Sequence, residues 1–554
     1  MKIRIGTRGS DLALWQANYV ARRLREAGCE VDITVMKTRG DKIDDVPLNK
    51  LEGKGFFTVE IERALLDNEV DLAVHSHKDL PFEGPEGLFI VAVPRRASPT
   101  ERLLIRPEAH DPDGLLLPLE KGANIGTSAP RRSEQLTALR PDVEVSMLRG
   151  NVPTRVKRLQ EGRYDAIVLA SAGIDRLELD LEGLVDHHLS AELFVPAPAQ
   201  GALAIQIREG EPELAALCKR ALDDGKTGSV IHAERTLLKK LGGGCSLPLG
   251  VLMEEVEALE ATPTSRWIGR AFLGRDYPTK GQPARWATTV AATPEEAAAE
   301  LHRGLSTEGE ETNAGPLGGI RIALAGSGSA ESWLARRLRM LGASLGIEKV
   351  IATEPLENAE LARYLSQLRP GDGVAFTSAR AAERLKGVAP IDGVIVAAVG
   401  PATEETLKKN GWESDVVGSG GARDLAQALD LRVGARVLFP CAENARHDLE
   451  EELAKQGVEV ERVPVYRTVP LSDISLDSRV DYRIYASPSS VEACTAWERE
   501  HDDLPTVRVP MGAATREAMK HANLRAIEDD IRGPDELLRC LLKHRLLNHK
   551  EDQR

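Results

Sequence analysis

The sequence predicts an α/β protein of several domains, arranged as two enzyme-sized halves. Its 554 residues are too many for a single hydrophobic core. Short apolar strands alternate with amphipathic helical patterns on both sides of residue 306, which is the rhythm of parallel or mixed sheets. Between the halves, the segment STEGEETNAGPLGG (306–319) is polar and rich in glycine, as linkers are.

The first half opens with the strand KIRIGT. The next segment, SDLALWQANYVARRLREAG, has apolar residues at helical spacing, with Ser10 or Asp11 as the N-cap and Gly28 just past the end. The same succession continues through VDITVMKT, TVEIERALLDN, DLAVHS, GANIGTS and YDAIVLAS. From about residue 225 the pattern changes to the helix SVIHAERTLLKKL, a glycine-cysteine turn and a β-rich piece. After the linker, the alternation resumes at GIRIALAG and continues through GVAFTS, VIVAAVG, ARVLFP, YRIYAS and VRVPMG.

Composition limits the classes of partner. The net charge of −14 argues against general attraction to nucleic acid, so an anionic ligand needs a local basic cluster. No apolar run reaches membrane-spanning length, and the first residues contain no secretory signal. The six cysteines form no C-x-x-C pair, which indicates reduced thiols. We therefore expect a cytoplasmic protein, a monomer that binds small molecules but neither nucleic acid nor membranes.

Arginines recur at the carboxyl ends of the predicted strands in the first half. Ligands of doubly wound sheets bind beyond those ends, and helix N-termini there add N–H donors for anions. The guanidinium fork suits carboxylates and phosphates. The sequence therefore predicts a cleft that binds a polyanion. Its arginines are Arg8, Arg131, Arg132, Arg149, Arg155 and Arg176.

Two further segments carry candidate chemistry. In DLAVHSHKDLP, a buried strand delivers Lys78 and Asp79 to its end, where Asp79 is a salt-bridge partner or a carboxylate that stabilises a cation. The H-x-H pair in this segment lacks further ligands, so we predict no metal site. In LGGGCSLPLG, the glycines offer open backbone space around the Cys245 thiol, as a closely bound ligand needs.

Residues 1–305 resemble the hydroxymethylbilane synthase (porphobilinogen deaminase) family. The runs that match are IGTRGSDLALWQA, TRGD, GKGFFTVEIERALL, DLAVHSHKDLP, GTSAPRR, LRGNVPTR, YDAIVLASAGIDRL, PAPAQGALAIQ, AERTLL and GGGCSLPLG. The resemblance implies a type II periplasmic-binding-protein-like two-domain cleft plus a small α+β domain. It implies domain 1 over 1–98 with 196–218, domain 2 over 99–195, and a cofactor-carrying domain over 219–305.

The same resemblance implies the chemistry. Cys245 would carry a dipyrromethane cofactor through a thioether, and four porphobilinogens would be added to it with loss of ammonia. Asp79 would be the catalytic carboxylate, stabilising the azafulvene cation and assisting proton transfer. The implied cofactor contacts are Lys78, Ser76, Thr127, Ser128, Arg131, Arg132 and Arg155, and the implied substrate contacts are Arg8, Arg149 and Arg176. Two residues depart from the family pattern: Val59 replaces a frequent lysine, and Ala199 replaces the usual glycine before Gln200.

After a linker over 306–317, residues 318–545 resemble uroporphyrinogen-III synthase. The matching runs include GVAFTSARAAERL, VAAVGPATEETLKKNGW and ASPSSVEA. The resemblance implies two flavodoxin-like α/β lobes, 318–354 with 468–545 and 355–467, and closure of the linear tetrapyrrole with ring D inverted. The candidate contacts are Thr377, Ser378, Tyr466, Ser487, Ser489 and Thr515. Each of them is equally suited to cap a helix.

Two alternatives remain open at this point. The first half could be an anion-binding receptor of the periplasmic type, since fold alone does not give function. The absence of a signal segment and the glycine-cysteine turn argue against it. The second half could be a non-catalytic or regulatory α/β domain fused to an active deaminase.

Overall fold

A computed structural model describes residues 1–36, 58–82, 84–111, 117–243, 247–256, 266–275, 282–306, 315–328, 332–357, 359–418, 421–502, 504–529, 531 and 534–548. Cys245, the motifs TRGD and GKGFF, and most of the linker lie outside these ranges. The chain forms two compact units. Unit 1 is Met1–Ile320 with Glu331–Ser344 and Gly533–Arg554, and unit 2 is Arg321–Ala330 with Leu345–Arg532.

The regular elements follow one another in strand–helix alternation. Up to residue 306 they are β1 (Lys2–Arg8), α1 (Asp11–Glu26), β2 (Glu30–Met36), α2 (Val59–Leu66), β3 (Leu72–Ser76), β4 (Leu88–Ala92), β5 (Glu101–Ile105), β6 (Asn124–Gly126), α3 (Pro130–Leu139), β7 (Glu144–Ser146), α4 (Val152–Gln160), β8 (Ala166–Ala170), α5 (Ser171–Leu177), β9 (Val185–Leu189), β10 (Leu203–Arg208), α6 (Pro212–Leu222), α7 (Gly225–Lys240), β11 (Leu249–Val256), β12 (Arg266–Leu273), β13 (Arg285–Ala291) and α8 (Pro294–Ser306). A 3₁₀ turn, His77–Asp79, follows β3 directly.

The remaining elements are β14 (Arg321–Gly326), α9 (Trp333–Met340), β15 (Ser344–Lys349), β16 (Ile351–Pro355), α10 (Ala359–Leu365), β17 (Gly373–Phe376), α11 (Ala379–Ala382), β18 (Ile395–Ala398), α12 (Pro401–Lys409), β19 (Val416–Val417), α13 (Ala422–Ala428), β20 (Arg436–Ala442), α14 (Asp448–Lys455), β21 (Glu459–Pro470), β22 (Tyr482–Tyr485), α15 (Pro488–Glu500), β23 (Val507–Pro510), α16 (Gly512–His521) and α17 (Pro534–Asn548). Of these, α9 and α17 belong to unit 1, where α17 packs against β13.

Unit 1 contains two mixed five-stranded sheets and one antiparallel sheet. The first has the order β2-β1-β3-β10-β4, in which β10 runs antiparallel to both neighbours. The second has the order β7-β6-β8-β5-β9, in which β5 runs antiparallel to β8 and β9. The third is the antiparallel sheet β11-β12-β13, which packs with α7 and α8. The α/β architecture predicted for the first half is thus confirmed in outline.

Helix α1 shows how the sequence builds these layers. The Ser10 hydroxyl accepts a hydrogen bond from the Ala13 N–H (3.4 Å) and so caps the first turn. Val20, Ala21 and Leu24 recur at helical spacing and are fully buried against the first sheet. Arg23 and Arg25 lie in the last turn, where cations complement the helix dipole.

Unit 2 contains two sheets built mainly from parallel strands. The shorter has the order β15-β14-β22-β23, and the longer has the order β16-β21-β20-β17-β18-β19. In the longer sheet only β16 is shown antiparallel to its neighbour, at one edge. Separate apolar clusters fill the two faces of the longer sheet, centred on Trp412 and Phe439. In the part of the chain described, no helix combines the length and hydropathy needed to cross a membrane.

Candidate active site

A cavity of about 100 Å³ lies where the carboxyl ends of β3 and β8 meet the start of α4 in unit 1. Four cationic side chains line it, and each comes from a different element: Lys78, Arg132, Arg155 and Arg176. Ser76 lines it as well, and the Ser76 hydroxyl accepts a hydrogen bond from Gln16 Nε2 (2.9 Å). The sequence predicted that six arginines at these strand ends converge on one cleft, and three of the six line this cavity together with Lys78.

Lys78 is held in this cavity by the segment that links the two mixed sheets. Its Nζ donates a hydrogen bond to Gln200 Oε1 (3.1 Å), and Gln200 Nε2 donates in turn to the Pro99 carbonyl (2.8 Å). Burial lowers the pKa of Lys78 to about 8, although the charge of Asp79 acts in the opposite direction. At neutral pH the ammonium therefore remains mostly charged and suited to a carboxylate ligand.

Asp79 is the last residue of the 3₁₀ turn and is exposed, in contrast to its neighbours. Its carboxylate lies near enough to Lys78 and Arg155 to raise the pKa of both, against the larger lowering by burial. Burial brings the pKa of Arg155 down to about 10. The turn thus presents a carboxylate at the edge of a basic cavity, where it can face a cationic group of a bound molecule.

Sequence reasoning missed Glu101, the first residue of β5. Its carboxylate is fully buried and lies between Arg131 and Arg132, two of the residues predicted to bind the cofactor. Glu101 Oε2 accepts a hydrogen bond from Arg132 Nε (2.6 Å), and Glu101 Oε1 accepts one from Arg131 Nη2. Burial alone would raise the pKa of Glu101, but the two guanidinium groups lower it to about 2. Glu101 therefore holds both arginines in place and neutralises part of their charge.

The two arginines differ in position. Arg132 lines the cavity and also donates to the Val168 carbonyl (2.9 Å). Arg131 is not among the described residues that line it. The Arg131 guanidinium donates to the Val195 carbonyl (2.9 Å) and lies over the Phe194 ring, 5.8 Å from its centre. In this conformation Arg132 is the better placed of the two for a ligand in the cavity.

We expect Glu101→Gln to lower the free energy of unfolding by about 3 kcal/mol, because one buried charge partner of two arginines is lost. The contribution of the wild-type carboxylate should be present above pH 4.5, the ordinary pKa of glutamate, and should be lost as the pH falls toward 2. Urea unfolding at pH 7 and at pH 3 measures both effects. Glu108→Gln is the matched control, since that exposed glutamate pairs only with Arg106 at the surface. Equal stabilities of the two variants would contradict this role of Glu101.

The other predicted contacts of unit 1 take the following positions. Arg176 donates to the Gly201 carbonyl (2.8 Å) and stacks over Trp15. Arg155 Nε donates to the Gly150 carbonyl (2.7 Å), and the Arg149 carbonyl accepts from Arg158 Nη1 (2.8 Å). Arg8 ends β1 and is half-buried, as is Arg149. Thr127 is buried and Ser128 half-buried between β6 and α3, and the Thr127 hydroxyl accepts from the Ala129 N–H (3.3 Å).

The two histidines of the H-x-H pair are buried. His75 Nε2 is 3.0 Å from Gln206 Oε1. Burial lowers the pKa of His75 to about 4 and that of His77 to about 3, so both rings are neutral at pH 7. Among the described residues, no three His, Cys, Asp or Glu side chains are grouped so that they could hold a metal ion.

Helix α7 leads directly to the glycine-cysteine turn. Glu234 on this helix is fully buried and accepts hydrogen bonds from Arg96 Nη1 (2.7 Å) and from the Ala199 N–H (2.8 Å). A Cβ at Gly243 would lie 2.4 Å from Leu247 Cδ2. The Leu247 and Leu238 side chains therefore crowd Gly243, and the expectation of open space around the Cys245 thiol stays a prediction. Cys245 itself lies outside the described residues.

Two residues beside Gln200 have left-handed backbone conformations. Ala199 has a φ of 60° and Gly201 a φ of 84°. A Cβ at Gly201 would lie 2.6 Å from the Ala97 carbonyl oxygen, whereas position 199 holds a fully buried alanine side chain. The other departure from the family pattern, Val59, is the first residue of α2 and is about half exposed (49%).

Unit 2 brings together two of its predicted contacts. The Tyr466 hydroxyl on β21 donates to Ser378 Oγ (3.1 Å), at the end of β17. Thr377 directly precedes Ser378, which also caps α11. Ser487 forms a capping box with Ser490, Ser489 lies in the first turn of α15, and Thr515 is buried in α16. These three follow strands of the shorter sheet.

Comparison with known proteins gives two family matches. The family model described as porphobilinogen deaminase, dipyromethane cofactor binding domain, matches residues 3–216. The family model described as uroporphyrinogen-III synthase HemD matches residues 332–538. The porphobilinogen deaminase of Brevibacillus brevis is 45% identical over 266 residues, which cover 48% of this chain and 83% of the relative. The porphobilinogen deaminase of Oceanobacillus iheyensis is 45% identical over 252 residues, which cover 45% of this chain and 79% of the relative. A uroporphyrinogen III synthase structure from Thermus thermophilus is 20% identical and covers 40% of this chain and 99% of its own, with a TM-score of 0.28.

Proposed function

We propose a residue-level mechanism from the premise that the chain belongs to the porphobilinogen deaminase family and also contains a uroporphyrinogen-III synthase domain. The chain is an enzyme of tetrapyrrole biosynthesis. It converts porphobilinogen to hydroxymethylbilane and then to uroporphyrinogen III, and it uses a dipyrromethane cofactor. Its substrates are small pyrroles. What we infer beyond this is which residues carry each step.

The residues of the basic cavity fit dipyrromethane, since each of its pyrroles carries acetate and propionate groups. Lys78, Arg132 and Arg155 would hold these carboxylates through charge-assisted hydrogen bonds. Cys245 would provide the thiolate for attachment. When bound, the cofactor supplies the terminal ring to which the first porphobilinogen is joined. Arg8, Arg149 and Arg176 would hold the carboxylates of the incoming substrate.

Asp79 would act on the substrate at the edge of the cavity. As ammonia leaves porphobilinogen, positive charge develops on the pyrrole, and the Asp79 carboxylate would stabilise it. It would also accept the α-proton that the attacking pyrrole ring loses as the new carbon–carbon bond to the substrate forms. The observation that carries this assignment is the exposed Asp79 carboxylate beside Lys78 and Arg155, at the end of a buried strand.

The finer architecture belongs to the same proposal. The strand order β2-β1-β3-β10-β4 supports a type II periplasmic-binding-protein-like domain 1, and the parallel strands of unit 2 support two flavodoxin-like lobes. We further infer that the enzyme is a monomer, works in the cytoplasm and binds no nucleic acid. Its net charge of −14 supports the last of these.

The Ser378–Tyr466 pair is our candidate for the second site. Ring closure with inversion of ring D needs mainly positioning of the linear tetrapyrrole, for which two hydroxyl groups at a strand end are suited. Hydroxymethylbilane that is not captured closes in water without inversion, to the type I isomer. The ratio of isomers therefore reports on the second site alone.

We expect the intact wild-type chain to form mainly type III product from porphobilinogen. In the double variant Ser378→Ala with Tyr466→Phe, type I should make up at least about half of the product, while porphobilinogen consumption stays unchanged. Oxidation to porphyrins and chromatography separate the isomers. Tyr364→Phe is the control, since that hydroxyl bonds Glu461 instead. Type I product from the wild type would refute an active synthase, and type III product from the double variant would refute this assignment.

A further inference from the structure

A second cavity, of about 380 Å³, lies in unit 1 between β4, the 3₁₀ turn and α7, and the mechanism above does not use it. Its walls are mostly apolar and include Leu80, Phe89 and Ile231. A few polar side chains also line it, among them Glu62 and Gln206. This size and this mixture are typical of sites for small organic ligands.

One polar group in this cavity has unused hydrogen-bonding capacity. Gln206 bonds Glu62 Oε1 (3.4 Å) and His75 Nε2 (3.0 Å), and Glu62 Oε2 accepts from Thr58 Oγ1 (3.1 Å). His77 lines the same cavity and is 5% exposed, and its Nδ1, which is itself shielded from solvent, has no hydrogen-bond partner among the described residues. A buried polar atom without a partner is costly, so a ring rotation that brings this nitrogen to a ligand in the cavity gains free energy.

The back of the cavity is connected to the turn that carries Lys78 and Asp79. Arg235 on α7 lines the cavity and donates hydrogen bonds to the backbone of this turn. Its Nη1 bonds the carbonyls of His77 (3.2 Å) and Leu80 (3.2 Å), and its Nη2 bonds the carbonyl of Pro81 (2.6 Å). A ligand against His77 and Arg235 would therefore touch the residues that fix the position of the catalytic turn.

We propose that this cavity is a regulatory site for a neutral aromatic molecule of about two fused rings that carries one hydroxyl group. The apolar walls favour flat rings, and the hydroxyl would donate a hydrogen bond to the unprotonated nitrogen of the His77 imidazole. The described lining carries one carboxylate, Glu62, and one guanidinium, Arg235, so the cavity has no excess charge of either sign to attract a ligand with several charges. The charge of the cavity thus distinguishes its ligand from the polycarboxylate substrates.

The helix offers a matched pair of variants that test the site. Gly228 and Gly225 both lie on α7, and a Cβ at either would meet no atom within 4 Å, but only Gly228 lines the cavity. Gly228→Trp should therefore fill the cavity, and Gly225→Trp should leave it open. We expect 2-naphthol, followed by its fluorescence, to bind wild-type holoenzyme and Gly225→Trp alike. Its binding to Gly228→Trp should be weaker by at least about tenfold.

A second ligand tests the hydrogen bond without altering the protein. On wild-type holoenzyme, 2-methoxynaphthalene should bind about fivefold more weakly than 2-naphthol, because it cannot donate a hydrogen bond. Saturating 2-naphthol should also change the rate of porphobilinogen consumption by the wild type and by Gly225→Trp, but not by Gly228→Trp. Equal 2-naphthol affinity for the two variants would overturn the site, and binding without any change in rate would overturn its regulatory role.

Discussion

Cys245→Ser should give a protein whose intact mass equals that of the bare chain, whereas the wild-type mass exceeds it by two linked pyrrole units. A serine hydroxyl is a far poorer nucleophile at neutral pH than a cysteine thiolate, so no cofactor is attached. Deaminase activity should fall by at least about 1000-fold, because the first porphobilinogen has no primer to join. Mass spectrometry of the intact protein and a colour test for bound pyrroles measure the two effects.

Cys29→Ser is the matched control, because Cys29 is a free and partly exposed cysteine far from Cys245 in the sequence. It should keep both the extra mass and the activity. The buried cysteines are poor substitutes for Cys245, since burial raises the pKa of Cys218 and Cys494 to about 12 and that of Cys441 to about 11. A Cys245→Ser protein that kept the extra mass would refute the attachment site, and an unmodified one with wild-type activity would refute the need for the primer.

Asp79→Ala should retain the primer but couple pyrroles at least about 100-fold more slowly than the wild type, because the developing cation loses its carboxylate. Asp79→Glu should recover part of the rate, since the charge survives at a shifted position. Asp79→Asn should resemble alanine, since it keeps the size but not the charge. Rapid-quench assays followed by intact mass count the pyrroles added over time.

The control for this series is Asp67→Ala, which removes an exposed aspartate that pairs only weakly with Arg63 (3.8 Å). That variant should turn over at the wild-type rate. Normal turnover by Asp79→Ala would show that Asp79 is only a salt-bridge partner of Lys78 and Arg155. Loss of the primer itself would place Asp79 in cofactor attachment instead.

The sequence predicted the cationic residues near the strand ends, but it did not predict the buried carboxylate that pairs with them. Arg132 and Arg155 lie in the first turns of α3 and α4, and Lys78 and Arg176 lie in the turn and the helix that follow β3 and β8. Alternating strands and helices make this edge of the sheets predictable. The buried partner of the arginines, Glu101, was missed because the segment ERLLI has the pattern of an ordinary strand that begins with a charged residue. Its alternation did contain a signal, since Glu101 lies on the same face as the buried Leu103 and Ile105.

Other features depend on contacts between distant segments, which local patterns do not encode. The bond between Tyr466 and Ser378 joins residues 88 positions apart, and Arg235 reaches back more than 150 positions to the 3₁₀ turn. An amphipathic helix such as α7 shows which face is buried but not which backbone carbonyls its arginine will meet. Tertiary packing decides both contacts.

The left-handed backbone conformations of Ala199 and Gly201 predict which substitutions evolution tolerates at these two positions. At position 199, alanine costs about 1–2 kcal/mol of backbone strain relative to glycine, and its restriction of the unfolded chain offsets only about 0.4–1 kcal/mol of this. Glycine is therefore favoured at position 199, but the remaining cost is small enough for alanine to be tolerated. Position 201 has no such freedom, because a methyl group would collide with the Ala97 and Ser98 carbonyl oxygens at 2.6 and 2.8 Å. Related sequences should therefore vary at 199 and keep glycine at 201.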